Sequence, residues 1–162
     1  MPTNFSRRSF FVSSAALALV SGTAKAAIHD GNLVEMLNKS PIDASARNVF
    51  EPRVIVVDPS EAVLFRSTDG GHNTQSMDDL IPAGAPPWKS DIGADVEITF
   101  DTSGVYPYVC TPHATAGMVG VIVVKGEGMM DNYEAAKGAR YRGRARKVFG
   151  EIFDEIDAIN LG

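Results

Sequence analysis

The stretch Val105-Tyr106-Pro107-Tyr108-Val109-Cys110-Thr111-Pro112-His113-Ala114-Thr115-Ala116-Gly117-Met118-Val119-Gly120-Val121-Ile122-Val123-Val124 decides how the rest of the chain is read. Its two ends, Val105 to Val109 and Val119 to Val124, are β-branched and aromatic runs that read as strands. The loop between them holds the only cysteine of the protein, a histidine three residues on and a methionine five beyond that. A thiolate, an imidazole and a thioether are soft donors, a set biased towards copper, with Met118 suited to a weak axial position. Each residue alone is weak evidence, because a lone cysteine or methionine is most often core filler. The spacing C-x2-H-x4-M leading into an apolar strand is much rarer. A trigonal His2Cys site needs a second imidazole, and the chain has three histidines, so His72 and His29 are the candidates. His72 lies in Gly70-Gly71-His72-Asn73, a tight-turn sequence. A Cys/His protease pair is the rival reading, and no site motif supports it.

Working outward, Leu33 to Leu37, Arg53 to Val57, Ala62 to Ser67 and Val96 to Phe100 read as further short strands. Gly, Pro and Asp turns separate them, as at Asp58-Pro59. In the loop Asp78 to Asp91, Pro82, Pro86 and Pro87 forbid continuous strand pairing. Short strands without intervening helical periodicity predict an all-β sandwich or barrel. After Val124 the pattern changes. Asp131 and Glu134 predict a capping box for a short helix ending at Gly138. A longer helix follows, with Val148, Phe149, Ile152, Phe153, Ile156 and Ile159 as its apolar stripe. Its charges run against the helix macrodipole, with Arg140, Arg142, Arg144 and Arg146 at the N-terminal end and Glu151, Asp154, Glu155 and Asp157 beyond them. They read either as a solvated face with local ion pairs or as an arginine patch for an acidic partner.

The N-terminus reads as a targeting segment. Arg7-Arg8 precede the apolar run Phe10 to Val20, too short to span a bilayer, and Ala24-Lys25-Ala26 is an A-x-A-like cleavage site. The paired arginines predict a Tat-like leader over residues 1–26, in a layout the Sec route shares. Residues 27–125 then form the sandwich and 126–162 a helical extension packed on it. Removing the leader takes the formal charge from −5 to −8, since it carries Arg7, Arg8 and Lys25 and no acid. Such acidity argues against nucleic acid or anionic membranes as partners. One cysteine excludes an intramolecular disulfide. The chain is expected to be a monomer in the periplasm without membrane insertion. Cleavage after Ala26 would also expose Ala27-Ile28-His29, whose amine, amides and imidazole suit square-planar Cu(II) or Ni(II).

The chain resembles the pseudoazurins, small periplasmic blue copper proteins of the cupredoxin family. The resemblance rests on Met36-Leu37-Asn38-Lys39, Phe50-Glu51-Pro52, Gly71-His72-Asn73, Ile81-Pro82, Gly104-Val105-Tyr106, Cys110-Thr111-Pro112-His113, Gly117-Met118-Val119-Gly120, Glu134-Ala135 and Lys137-Gly138-Ala139. It runs from about residue 33 to the end. It implies a cupredoxin-like Greek-key β-sandwich with two C-terminal helices, and one type 1 copper held by His72, Cys110, His113 and Met118. It also implies that Asn73 ties the two ligand loops together and donates a backbone N–H to the Cys110 sulfur. His113 would be the electron port, within an apolar rim drawn from Ile81, Pro82, Pro86, Trp88, Pro112, Ala114 and Ala116. For Trp88 a place in the core is the equal alternative. The function implied is transfer of single electrons between periplasmic redox proteins, with a copper nitrite reductase or nitrous oxide reductase as acceptor, and not an enzymatic one. A copper storage or delivery module is the alternative. Many relatives ring the port with lysines, of which Lys39 and Lys89 remain here beside Asp78, Asp79 and Asp91. Glu35 and Asn48 stand where relatives often have histidine and methionine.

Overall fold

The computed structural model describes residues 32–159. The expected leader and the expected site at His29 lie outside the described residues. Two four-stranded sheets face each other. The first has the order β2-β1-β4-β6, with β1 at Leu33–Lys39, β2 at Arg47–Glu51, β4 at Glu61–Arg66 and β6 at Val96–Phe100. The second has the order β3-β8-β7-β5, with β3 at Val54–Val57, β5 at Gln75–Ser76, β7 at Gly104–Val109 and β8 at Val119–Val124. The pairs β1/β4 and β3/β8 are parallel and the remaining neighbours antiparallel. This is the cupredoxin sandwich that the resemblance implies.

Six of these strands follow the sequence reading within a residue or two. The other two, β2 and β5, do not announce themselves. β2 offers only Val49 and Phe50 among polar neighbours, and Asn48 holds φ 51°, a left-handed conformation in which Asn is enriched. β5 is two residues long, set by its pairing with β7 rather than by any pattern of its own.

Strand β8 explains the layering. All of its residues are buried, because both faces are covered. Met118, Ile122 and Val124 point into the core between the sheets, with Phe50, Phe65, Tyr106 and Tyr108. Val119, Val121 and Val123 point the other way, into a second core with Phe149, Ile152, Phe153 and Ile156. Such two-sided burial reads as a continuous apolar run rather than an alternation.

That second core is closed by α1, Tyr133–Lys137, and α2, Ala145–Ala158. The predicted capping box is not formed. The N-cap is Asn132, without a side-chain capping bond. Its amide is engaged elsewhere: Oδ1 accepts from the Val105 N–H at 3.0 Å, and Nδ2 donates to Val105 O at 2.6 Å and Leu80 O at 2.8 Å. A side chain clamping β7 and the loop after β5 cannot also turn back on its own helix. Gly138 does end α1, in a right-handed rather than left-handed conformation. Of the α2 stripe, Phe149, Ile152, Phe153 and Ile156 are buried, whereas Ile159 lies past the helix end and is 41% exposed.

Three acids of α2, Glu151, Glu155 and Asp157, find cations outside the helix. Arg53 donates from Nη1 to Glu151 at 3.0 Å and pairs through Nη2 with Glu155, and Lys137 meets Asp157 at 2.6 Å. The hydrogen bond from Arg53 is the main reason the Glu151 carboxyl sits below its ordinary pKa of 4.5. A depressed carboxyl contributes stability above its unfolded pKa and loses it as pH falls through the folded value. With side chains 34% and 42% exposed, screening holds the contribution under about 1 kcal/mol. Urea unfolding is therefore expected to show Glu151→Gln weaker than wild type at pH 7 and the gap narrowing below about pH 4. An unchanged gap would remove Glu151 from the account.

Candidate metal centre

Strand β7 ends at Val109, and the chain closes onto β8 through a tight 3-10 turn, Thr111–Ala116. Pro112 starts that turn, and Gly117 at φ 98° ends it, donating its N–H to Ala114 O. The Met118 N–H returns to His113 O at 3.1 Å, and the Cys110 N–H to Met118 O at 3.0 Å. These bonds hold Cys110 and Met118 side by side at the mouth of the core, both fully buried. His72 arrives from the turn before β5 and is also fully buried, whereas His113 is half-buried.

The structure brings His72, Cys110 and His113 together, with one donor atom of each within 4.8 Å of the others. The two imidazole Nδ1 atoms are 3.1 Å apart, and they lie 3.8 and 3.5 Å from the Cys110 sulfur. A point equidistant from the three atoms lies roughly 2 Å from each, close to metal–imidazole bonds of about 2.0–2.1 Å and metal–thiolate bonds of about 2.3 Å. The donor set therefore fits a single metal ion in chemistry and in size. Met118 shares the buried core cluster with Cys110.

The surroundings orient these donors. His72 Nε2 lies 2.9 Å from Asn38 Oδ1. An amide oxygen there requires Nε2 to carry the proton, which leaves Nδ1 as a lone pair facing the site. Asn38 itself is placed by its backbone N–H, which donates to Asp69 Oδ2 at 2.7 Å. Burial first, and His113 second, push His72 below its ordinary pKa, so the neutral imidazole a metal requires is favoured. Burial pushes the Cys110 thiol up, and the backbone N–H groups of Asn73 and His113 work against that shift. Asn73 also ties the loops together. It donates from Nδ2 to Thr111 Oγ1 at 3.0 Å and to Ser90 O at 3.2 Å, and its Oδ1 accepts from the Thr111 N–H at 2.8 Å. The loop-tying role implied for Asn73 is present.

The expected rim is only partly a surface. Pro82 is buried, lying 2.2 Å from where a Cβ on Gly104 would stand. Trp88 belongs to the core, where it meets Phe65, Phe100, Tyr106 and Tyr108 and donates from Nε1 to Thr74. Ile81 packs on the same cluster. Exposed or half-exposed apolar surface beside His113 comes from Pro112, Ala114 and Ala116 of its own turn. Asn38 was missed by site reasoning. Its only sequence signal was membership of Met36-Leu37-Asn38-Lys39.

A two-sheet sandwich with a Cys-His-Met loop closing over a distant histidine defines a copper-binding class, and comparison with known proteins agrees. Residues 34–125 match the family described as copper binding proteins, plastocyanin/azurin family. The pseudoazurin of Methylorubrum extorquens is 33% identical over 145 residues, covering 90% of this chain and 95% of that one. That of Paracoccus pantotrophus is 34% identical over 139 residues, covering 86% and 90%. Among solved structures, a Sinorhizobium pseudoazurin superposes with a TM-score of 0.71 at 39% identity, covering 80% of this chain and 97% of that one. The chain belongs to the pseudoazurins, copper-binding proteins of the plastocyanin/azurin family.

Proposed function

We propose that this protein is a periplasmic electron carrier in which His72, Cys110, His113 and Met118 hold one type 1 copper. The observation that carries this reading is the cluster of two Nδ1 atoms and one thiol sulfur within 4.8 Å of one another, closed off by the core. Copper bound there supplies one-electron redox chemistry. The chain's own residues do the rest. Cys110 provides the sulfur that couples the metal to the protein, and the Asn73 N–H tunes that sulfur. Asn38 and Asn73 fix the donors, so little has to move when an electron arrives or leaves. His113, the half-buried imidazole, is the route to the surface.

A carrier suits this site better than an enzyme, because His72, Cys110 and Met118 are fully buried and only the half-buried His113 reaches towards solvent. The partners are other periplasmic redox proteins, with a copper nitrite reductase or nitrous oxide reductase as the acceptor classes, and a monomer as the working unit. No helix among the described residues is long and apolar enough to cross a membrane. The Tat-like leader supports export. Residues 27–125 carry the site, with 126–162 as the extension.

The test is the visible and EPR spectrum of the mature protein with Cu(II), beside a Cys110→Ala variant. An intense thiolate-to-copper band with narrow hyperfine splitting is expected, and it disappears in the variant. An ordinary tetragonal Cu(II) signal that survives loss of Cys110 would overturn the carrier reading in favour of copper storage or delivery.

A further inference from the structure

Four arginines lead into α2, in Arg140-Tyr141-Arg142-Gly143-Arg144-Ala145-Arg146-Lys147, a segment with no acid. The alternation has a structural basis. Tyr141 is anchored inward, its ring 3.9 Å from that of Phe149 and its hydroxyl donating to Ala136 O at 2.6 Å. Ala145 is buried in the same core. The arginines between and beside them, Arg140, Arg142, Arg144 and Arg146, are all exposed. No ion pair to any of the four is formed among the described residues, whereas the neighbouring Lys147 meets Glu151 at 3.5 Å.

This tract is pinned to the ligand turn. The Arg144 N–H donates to Thr115 O at 2.9 Å. Gly143, at φ 59°, passes so close that an added Cβ would lie 2.5 Å from the same oxygen. Arg144 and Val148 pack beneath Gly117. They also line a groove of about 390 Å³ that takes in Ala116 and the exposed Ile42, with a mixed charged lining of Arg47 and Arg53 beside Asp43, Glu51, Glu151 and Glu155. The cations therefore flank the turn that carries His113.

Their placement is unfavourable within the monomer. Arg144 and Arg146, at the first turn of α2, oppose the helix macrodipole, and no acid occupies that turn. Asp43, which also lines the groove, feels the Arg144 charge only weakly beside its hydrogen bonds to Ser45. An unpaired cationic tract beside an electron port calls for negative charge from outside. We propose that residues 140–147 form the docking surface for an acidic face of the redox partner, which puts the cationic contact on the helix side of the ligand turn. This rests on the carrier reading above. A protein partner is favoured over a lipid surface because the rest of the chain is acidic, with Asp78, Asp79 and Asp91 exposed, and would be repelled by an extended anionic sheet.

The test uses a decaglutamate peptide titrated into the copper(I)-loaded protein, followed by amide NMR. Chemical-shift changes are expected over residues 139–147 and Thr115–Gly117, fading as salt rises. In R140Q/R142Q/R146Q, which spares Arg144 and its packing, binding is expected to weaken at least tenfold while the copper(II) spectrum stays unchanged. A second readout is oxidation of the reduced protein by hexacyanoferrate(III), each protein giving up one electron and forming hexacyanoferrate(II). Its rate should fall with ionic strength in wild type, against the sign of the net charge, and rise in the triple variant. Shifts centred on Lys39 or Lys89, or peptide binding indifferent to the three substitutions, would overturn the proposal. So would sedimentation with phosphatidylglycerol vesicles in the absence of any peptide shift. A protein with no blue band fails the carrier reading itself, which is a different result.

Discussion

Gly120→Ala is expected to be among the most destabilising single-methyl additions in the molecule. Gly120 sits in β8 opposite Tyr108. A Cβ built on it would stand 2.3 Å from the Tyr108 hydroxyl oxygen, 2.4 Å from its Cζ and 2.9 Å from the backbone oxygen of Arg53. Tyr108 cannot swing aside. Its ring is wedged against Phe50 at 4.7 Å and Phe65 at 5.1 Å, and it has no exposed surface. The Arg53 oxygen is backbone and cannot yield without moving β3. Overpacking of this kind costs about 1–3 kcal/mol and occasionally more, and the backbone contact places this case at the upper end. Thermal unfolding should show Tm falling by on the order of 10 °C. A fall of only a degree or two would mean that the inner core has slack around Tyr108 that its contacts do not reveal.

Phe149→Ala is expected to cost about 3–5 kcal/mol, the range for emptying a fully buried aromatic site. Phe149 is 0% exposed and forms the centre of an aromatic row, with Tyr141 on one side and Phe153 at 6.2 Å on the other. Its loss does more than open a cavity. Tyr141 loses the ring it stacks on, and with it the anchor that fans the arginines outward. The copper site is built from the other face of the same sheet, so its colour should survive at temperatures where the variant remains folded. Denaturant melts monitored in parallel by visible absorption and far-UV circular dichroism would check this. Loss of the blue band well before the helical signal would show that the two cores are not independent in this way.

How much of this was legible in the sequence depended on whether a feature was local. Cys110, His113 and Met118 lie in one turn, so their chemistry could be read directly from spacing. His72 could not be chosen over His29 on spacing alone. Its pairing with Cys110 is made by the sheet, and only the resemblance named it. Asn38 lay further out of reach, because an asparagine in a strand carries no local sign that its amide holds an imidazole. Strand β2 was hidden for a similar reason, since its pairing with β1 is tertiary while its own residues are mostly polar. The helical stripe of α2 was plain, as helical periodicity is. The capping box at Asp131 was a sound local signal that lost to a distant one. The neighbouring Asn132 is worth more to the fold as a three-bond clamp on Val105 and Leu80 than as a cap. For the arginines of residues 140–147, sequence supplied the oddity and structure supplied the neighbour.

The parallel pairing of β3 with β8 has a consequence for how the molecule is made. Val54–Val57 lie at the edge of their sheet, and their register partner is Val121–Val124. A β-branched edge strand therefore leaves the ribosome long before the segment that covers it. At synthesis rates of about 5–20 residues per second, that wait lasts several seconds. Throughout it, Ile55 and Val57, buried in the finished fold, are exposed to any passing chain. Neither sandwich nor metal pocket can close until the C-terminal third of the protein has been translated, so a truncated product would be an aggregation hazard rather than a smaller carrier.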